Sequence, residues 1–211
     1  VEPHEIPLEE TVSFNKYTTN QIMMDILKNT LEKERSIAEQ ALDRLDKVYD
    51  SVSTLRRYTG LQKVQGVADL VTEELNNKGY EKIIIFCHHR DVVEQLRQKL
   101  RQFNPVTLYG NTSAKKKQRN IDKFQGKFNC KIFIGNISAA GIGITLTAAN
   151  QMIMLEQSWV PSENMQAIKR ANRIGSDKPL FVRIISLPDS LDQKIISTLR
   201  KKTEDISLTF E

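Results

Sequence analysis

The sequence predicts an α/β fold, in which a parallel sheet is covered by helices on both faces and preceded by a helical segment. Three observations carry this. Short apolar runs alternate with amphipathic, helix-compatible stretches through most of the chain. The first of those runs, Lys82 to Cys87 (KIIIFC), is apolar at successive positions, as a strand buried on both faces must be. The length, 211 residues, suits one good hydrophobic core with a small appendage.

Residues 1–15 alternate imperfectly in HEIPLEETVSF and predict one short strand leading into the domain. From Tyr17 to about Tyr58 the pattern turns helical. Ile22, Met23, Ile26, Leu27 and Leu31 form one stripe, and Ala38, Ala41, Leu45, Val48, Val52 and Leu55 continue it with no Gly or Pro between. Thr59 and Gly60 punctuate that run. Leu61 to Lys78 then reads as a second amphipathic helix, with Val64, Val67, Ala68, Val71 and Leu75 inward and Gly79 closing it. After the KIIIFC strand come a helix at Asp91 to Gln102, a strand at Pro105 to Tyr109, a basic helix at Ser113 to Gln125 and a strand from Lys131. A strand near Met152, a helix after Pro161, a strand at Phe181 to Leu187 and a helix from Ser190 to about Lys202 complete the series. The expected division is a lead-in and helical protrusion at 1–58 and an α/β domain at 59–211.

Charged residues make up 27% and hydrophobic ones 39%, with no apolar run long enough to span a bilayer and no signal-like start, so no membrane partner is expected. Cys87 and Cys130, 43 residues apart, each fall inside an apolar strand candidate, which suits reduced, buried thiols and an intracellular setting. The net charge of +5 is unevenly spread. Residues 1–60 hold 8 basic and 11 acidic side chains, whereas residues 88–125 hold 9 basic and 3 acidic. A local basic excess points to a polyanion, with nucleic acid the commonest.

In parallel α/β sheets, ligands collect at the carboxyl ends of the strands. The loops there are His88 to Arg90, Gly110 to Thr112, Asn136 to Gly143 and Ser158 to Glu163. Ala139 to Gly143 is a small-residue turn through which backbone can approach a ligand. Following Pro161, Gln166, Arg170 and Arg173 fall at i, i+4 and i+7, one face of a helix. Two guanidiniums so placed can fork onto phosphate oxygens, which a lysine cannot do. Ser113 or Thr112 caps a helix whose first-turn amides and Lys115 to Lys117 can hold a backbone phosphate. Other readings fail on spacing. The run from Gly110 to Lys115 departs from the P-loop pattern, and Gly141 with Gly143 lacks the third small residue of a dinucleotide fingerprint. His88 and His89 are adjacent on a strand end and point apart, so they do not share a metal.

The strand at Gln151 to Leu155, Trp159, Pro161 and then QAIKRANRIG, in this order, resembles motifs V and VI of superfamily two helicase-like ATPases and, within them, the Swi/Snf-type branch. The run ISAAGIGITLTAAN is especially similar to the HepA-related annealing helicases. The resemblance covers roughly residues 55 to 202. It implies a RecA-like second lobe whose strand-end loops are motifs IV, IVa, V and VI, with a helical protrusion in the lead-in. Two departures stand out, Asn172 where the family has His and Ser176 where it has Gln.

The resemblance further implies that Arg170 and Arg173 are arginine fingers, and that Gly141, Gly143 and Gln166 lie at the nucleotide. It implies that His88, Asn111, Thr112, Ser113, Lys116, Asn136 and Ser138 face DNA. ATP and magnesium would be held mainly by a first lobe, because no G-x-x-x-x-G-K-S/T and no Asp-Glu pair ending an apolar strand occurs here. The expected partners are that first lobe and duplex or fork DNA. The expected location is on DNA inside the cell, in the nucleus of a eukaryote or the cytoplasm otherwise, and the isolated chain should not hydrolyse ATP. An alternative is a non-catalytic nucleic-acid-binding or scaffold domain that has kept the lobe.

Overall fold

The computed structural model describes residues 4–7, 45–77, 79–140, 143–172 and 178–209. The elements in order are β1 (His4–Pro7), α1 (Leu45–Asn77), β2 (Ile83–Cys87), α2 (Arg90–Lys99), β3 (Val106–Leu108), α3 (Ala114–Gly126), β4 (Ile132–Asn136), α4 (Ile137–Ala140), β5 (Gln151–Met154), α5 (Pro161–Ile168), β6 (Phe181–Ser186) and α6 (Leu191–Thr209). A 3-10 turn at Arg101–Phe103 follows α2. Six strands form one sheet in the order β1-β6-β5-β2-β4-β3, and every pairing is parallel. All carboxyl ends therefore open on one edge, as expected. The lead-in strand is present as β1, beside β6.

Strand alternation divides the core into two. Ile83, Ile85 and Cys87 of β2, with Ile132, Ile134 and Ile153, face Val64, Val67, Val71, Val92 and Leu96 of α1 and α2. Ile84, Phe86, Phe133, Met152 and Met154 face Ile121 and Phe124 of α3 and Ala167 of α5. Every residue of β2 is buried, which is why its sequence shows no polar alternation. Cys87 and Cys130 are free, buried thiols. Among the described residues no helix is long and apolar enough to cross a membrane.

Two expectations are corrected here. Thr59 and Gly60 do not break the first helix, because α1 runs unbroken for 33 residues across them. The division drawn at 58/59 thus falls inside one helix. Thr59 Oγ1 returns to the Leu55 carbonyl at 2.9 Å, which keeps its hydroxyl within the helix. Gly60 is there for space. A Cβ would stand 2.5 Å from Glu156 Oε1 and 3.0 Å from Val92 Cγ2. The small-residue stretch after β4 also begins as a helical turn, α4, and Gly143 then turns with φ +32°. The apolar stripes predicted between residues 8 and 44 lie outside the described residues.

Candidate functional site

Each strand-end loop is tied down by a side chain that ends or follows a strand. Asn136, the last residue of β4, donates through Nδ2 to the His88 carbonyl, and its Oδ1 accepts from Ser138 N at 2.9 Å and Ser138 Oγ at 2.5 Å. The amide of Asn136 therefore joins the ends of β2 and β4. Ser138 is exposed, and a Cβ built on Gly110 would lie 4.0 Å from its Oγ, so the β3 and β4 loops are neighbours. Thr112 Oγ1 accepts from the Tyr109 amide at 3.0 Å, and the Thr112 amide returns to the Tyr109 carbonyl at 3.1 Å. That closed turn corrects the capping expectation. Ser113 occupies the N-cap position of α3, but neither hydroxyl caps the helix, since Thr112 is committed to its own turn. Asn111, Ser113 and Lys116 are exposed and border a concave surface with Arg90, Arg97 and Tyr109. Arg90 lies over the Tyr109 ring at 5.1 Å. The Tyr109 hydroxyl is pushed up to about 12 by burial and by its hydrogen bond to Glu94.

The arginine segment departs from one unbroken helix. α5 is eight residues long, from Pro161 at its N1 position to Ile168. The chain then tightens, with Arg170 N to Ala167 O at 3.1 Å and Ala171 N to Ile168 O at 3.1 Å. The carbonyl of Arg170 accepts the Leu146 amide at 2.8 Å, so the segment after β4 takes up a group that a continuing helix would use. Gln166 is exposed on α5, and Arg170 is half-buried in the turn beyond it. Arg170 lies close enough to Lys117 to help burial lower that ammonium's pKa. Gly143 is exposed, whereas Gly141 and Arg173 lie outside the described residues.

Behind this edge lies a buried polar layer that the apolar pattern did not announce. Glu156, two residues past β5 and 3% exposed, accepts from His88 N at 2.8 Å, His89 N at 2.9 Å and His89 Nδ1 at 2.6 Å. Burial pushes its pKa up, but the His89 hydrogen bonds and charge outweigh that and hold the carboxyl below its usual range. From α1, Arg56 Nη2 donates to the Gln157 carbonyl. Lys63, 1% exposed, donates to the Leu155 carbonyl, to the Ile185 carbonyl at 3.2 Å and to Asp192 Oδ2 at 2.8 Å. Asn164 of α5 brackets Ser158, accepting from its amide at 2.8 Å and donating to its carbonyl at 2.9 Å. The missed signal was register: Arg56 and Lys63 occupy the inward stripe that continues through Val67. His88 is half-buried, its Nδ1 has no partner among the described residues, and burial with the Arg56 charge lowers its pKa to about 4. Near neutral pH its ring is uncharged, so any phosphate contact there would be neutral.

The site defines a class: a doubly covered parallel α/β lobe that presents an arginine turn and basic loops along one edge. The chain belongs to the helicase conserved C-terminal domain family, which matches residues 62–175. It is 34% identical over 132 residues to the SWI/SNF-related matrix-associated actin-dependent regulator of chromatin subfamily A-like protein 1 of Drosophila melanogaster, covering 62% of this chain and 18% of that protein. To the Caenorhabditis elegans homolog of that protein it is 25% identical over 217 residues, covering 92% of this chain and 31% of the relative. The chain thus spans a third or less of these relatives. The Sulfolobus solfataricus SWI2/SNF2 ATPase C-terminal domain superposes with a TM-score of 0.69 at 19% identity, over 96% of this chain and 85% of that one, and shows the RecA-like fold.

Proposed function

We propose that this chain is the second lobe of a Swi/Snf-type, DNA-dependent ATPase that translocates on duplex or fork DNA, nearest in character to the HepA-related annealing helicases. Residues 1–58 are assigned as its lead-in and protrusion and residues 59–211 as the lobe, with α1 running across that boundary. A first lobe carries the P-loop and holds ATP with magnesium. The observation that carries the reading is the hydrogen bond from Leu146 N to Arg170 O, which holds the arginine turn against the post-β4 segment in a chain of the helicase C-terminal family.

The residues on this edge suit phosphate. A half-buried guanidinium can fork onto two phosphate oxygens. Arg170 and Arg173 stabilise the charge that develops on the transferred phosphoryl group, a role worth about 10³ to 10⁵ in rate for arginine fingers. Gln166 and Gly143 are assigned to the nucleotide in the same cleft, as is Gly141, which lies outside the described residues. A metal is served less well, since among the described residues no three His, Cys, Asp or Glu side chains converge. Magnesium is therefore assigned to the first lobe and no step is routed through it here. Asn111, Thr112, Ser113, Lys116, Asn136, Ser138 and the neutral His88 contact the DNA backbone, which sets grip rather than sequence preference. The relatives' description as regulators of chromatin supports DNA as the partner and a DNA-associated place inside the cell.

The test is reconstitution. This chain alone is expected to show no ATPase activity, and adding a separately produced P-loop lobe with duplex DNA should give activity above the sum of the parts. Arg173→Ala should remove that gain. An equal gain with the variant would remove the finger assignment.

A further inference from the structure

We propose that the outer face of α3 is a second nucleic-acid site, a track for a single strand that runs from the strand-end edge across the flank of the lobe to Phe128. Lys115, Arg119, Lys123 and Lys127 recur every four residues and all four are exposed. At a helical rise of about 1.5 Å per residue they extend over about 18 Å, a span that faces roughly five phosphates of one strand at about 3.4 Å of axis each. With Asn129 at its far end the quartet lines a single groove. Asp122 is the one acidic residue lining this groove, and its Oδ1 already accepts from Gln118 Nε2 at 2.8 Å. The other face of α3 is committed to the core through Ile121 and Phe124.

Between Lys127 and Asn129, two of the residues that line the groove, the chain carries an aromatic side chain. Phe128 is 84% exposed, and it sits on a turn that is held in place. Lys82 donates to the Phe124 carbonyl and, at 3.1 Å, to the Lys127 carbonyl, and Cys130 N donates to Lys127 O at 3.2 Å. A cationic groove with an aromatic ring standing free beside it is how single strands are bound, with phosphates on the cations and a base on the ring. A paired base offers no free face to such a ring, so the ring favours a single strand over a duplex. The contacts read charge and a π-face, so DNA and RNA strands are both ligands. The site goes beyond the strand-end reading and does not require nucleotide hydrolysis.

Fluorescence anisotropy of the full 211-residue chain with labelled dT20, rU20 and a 20-base-pair duplex, at several salt concentrations, tests the proposal. The variant with Lys115, Arg119, Lys123 and Lys127 all changed to Gln should bind dT20 and rU20 about tenfold or more weakly. Its salt slope should fall by about 3, from about 0.7 per phosphate contact. Phe128→Ala should weaken both single strands about fivefold or more without changing the slope, spare the duplex, and be rescued by Phe128→Trp. These changes are on the surface, and circular dichroism melts should match the parent. Wild-type dT20 affinity and slope in the quadruple variant would overturn the track. So would a Phe128→Ala loss as large for the duplex as for the single strands. Lys116→Glu separates the two sites: if it alone abolishes dT20 and rU20 binding, the flank is overturned. If it spares them while the quadruple variant loses them, the flank stands, and the duplex arm then reads the strand-end grip, which fails if Lys116→Glu binds the duplex as tightly as the parent.

Discussion

Glu156 is the residue on which the strand-end edge turns, because one buried carboxylate holds the amides of His88 and His89 and the His89 ring. Gly60 leaves it the room. Gly60→Ala should destabilise the protein by about 1–3 kcal/mol in urea unfolding, although alanine is the better helix former by about 1 kcal/mol, because the new methyl overlaps a tethered oxygen. His88 gives a pH signature. Its folded pKa, about 4, is below the usual 6.5, so between those values the unfolded chain binds a proton that the folded one refuses. Stability is therefore full above pH 6.5 and declines as pH falls toward 4. After discounting for partial exposure, the loss should be on the order of 1–2 kcal/mol between pH 7 and pH 4.5. His88→Asn should flatten that dependence, measured as urea midpoints across pH. Neither residue's structural role was legible in the sequence, where Glu156 simply follows an apolar strand and His88 reads as a strand-end contact to DNA.

At the scale of elements, α1 acts as a bolt across the sheet. Its inward face carries Arg56, Lys63 and Glu74, which reach the Gln157 carbonyl, the Leu155 and Ile185 carbonyls with Asp192, and Arg183 of β6. Lys63→Met should cost about 3–5 kcal/mol in the same unfolding measurement, since it keeps the stem but leaves Asp192 buried without its cation. A loss under about 1 kcal/mol would mean that water replaces the ammonium. The strand and helix order was legible because a sheet buried on both faces writes itself as apolar runs, as in KIIIFC. The ends of helices were less so. Thr59 and Gly60 carry the letters of a helix stop, and only the approach of Glu156 from a strand 96 residues away explains why the helix continues. Likewise, the face shared by Gln166 and Arg170 assumed a helix that the Leu146 amide helps to end.

For the whole molecule, the parallel sheet collects loops distant in sequence onto one edge, and that convergence was legible before any coordinates because parallel order dictates it. Two functions meet there in the proposed reading. In the protein carrying both lobes, Lys116→Glu should weaken duplex binding across all sequences and reduce the dependence of affinity on salt by about one contact's worth, about 0.9 in slope, read by anisotropy from 50 to 200 mM salt. The central claim concerns the arginine turn. Single-turnover ATP hydrolysis at saturating duplex DNA, comparing Arg170→Ala with the parent two-lobe protein, tests it most directly. Hydrolysis in the variant should be slower by about 10³-fold or more, with nucleotide affinity held within a few-fold. Hydrolysis within twofold of the parent would contradict it.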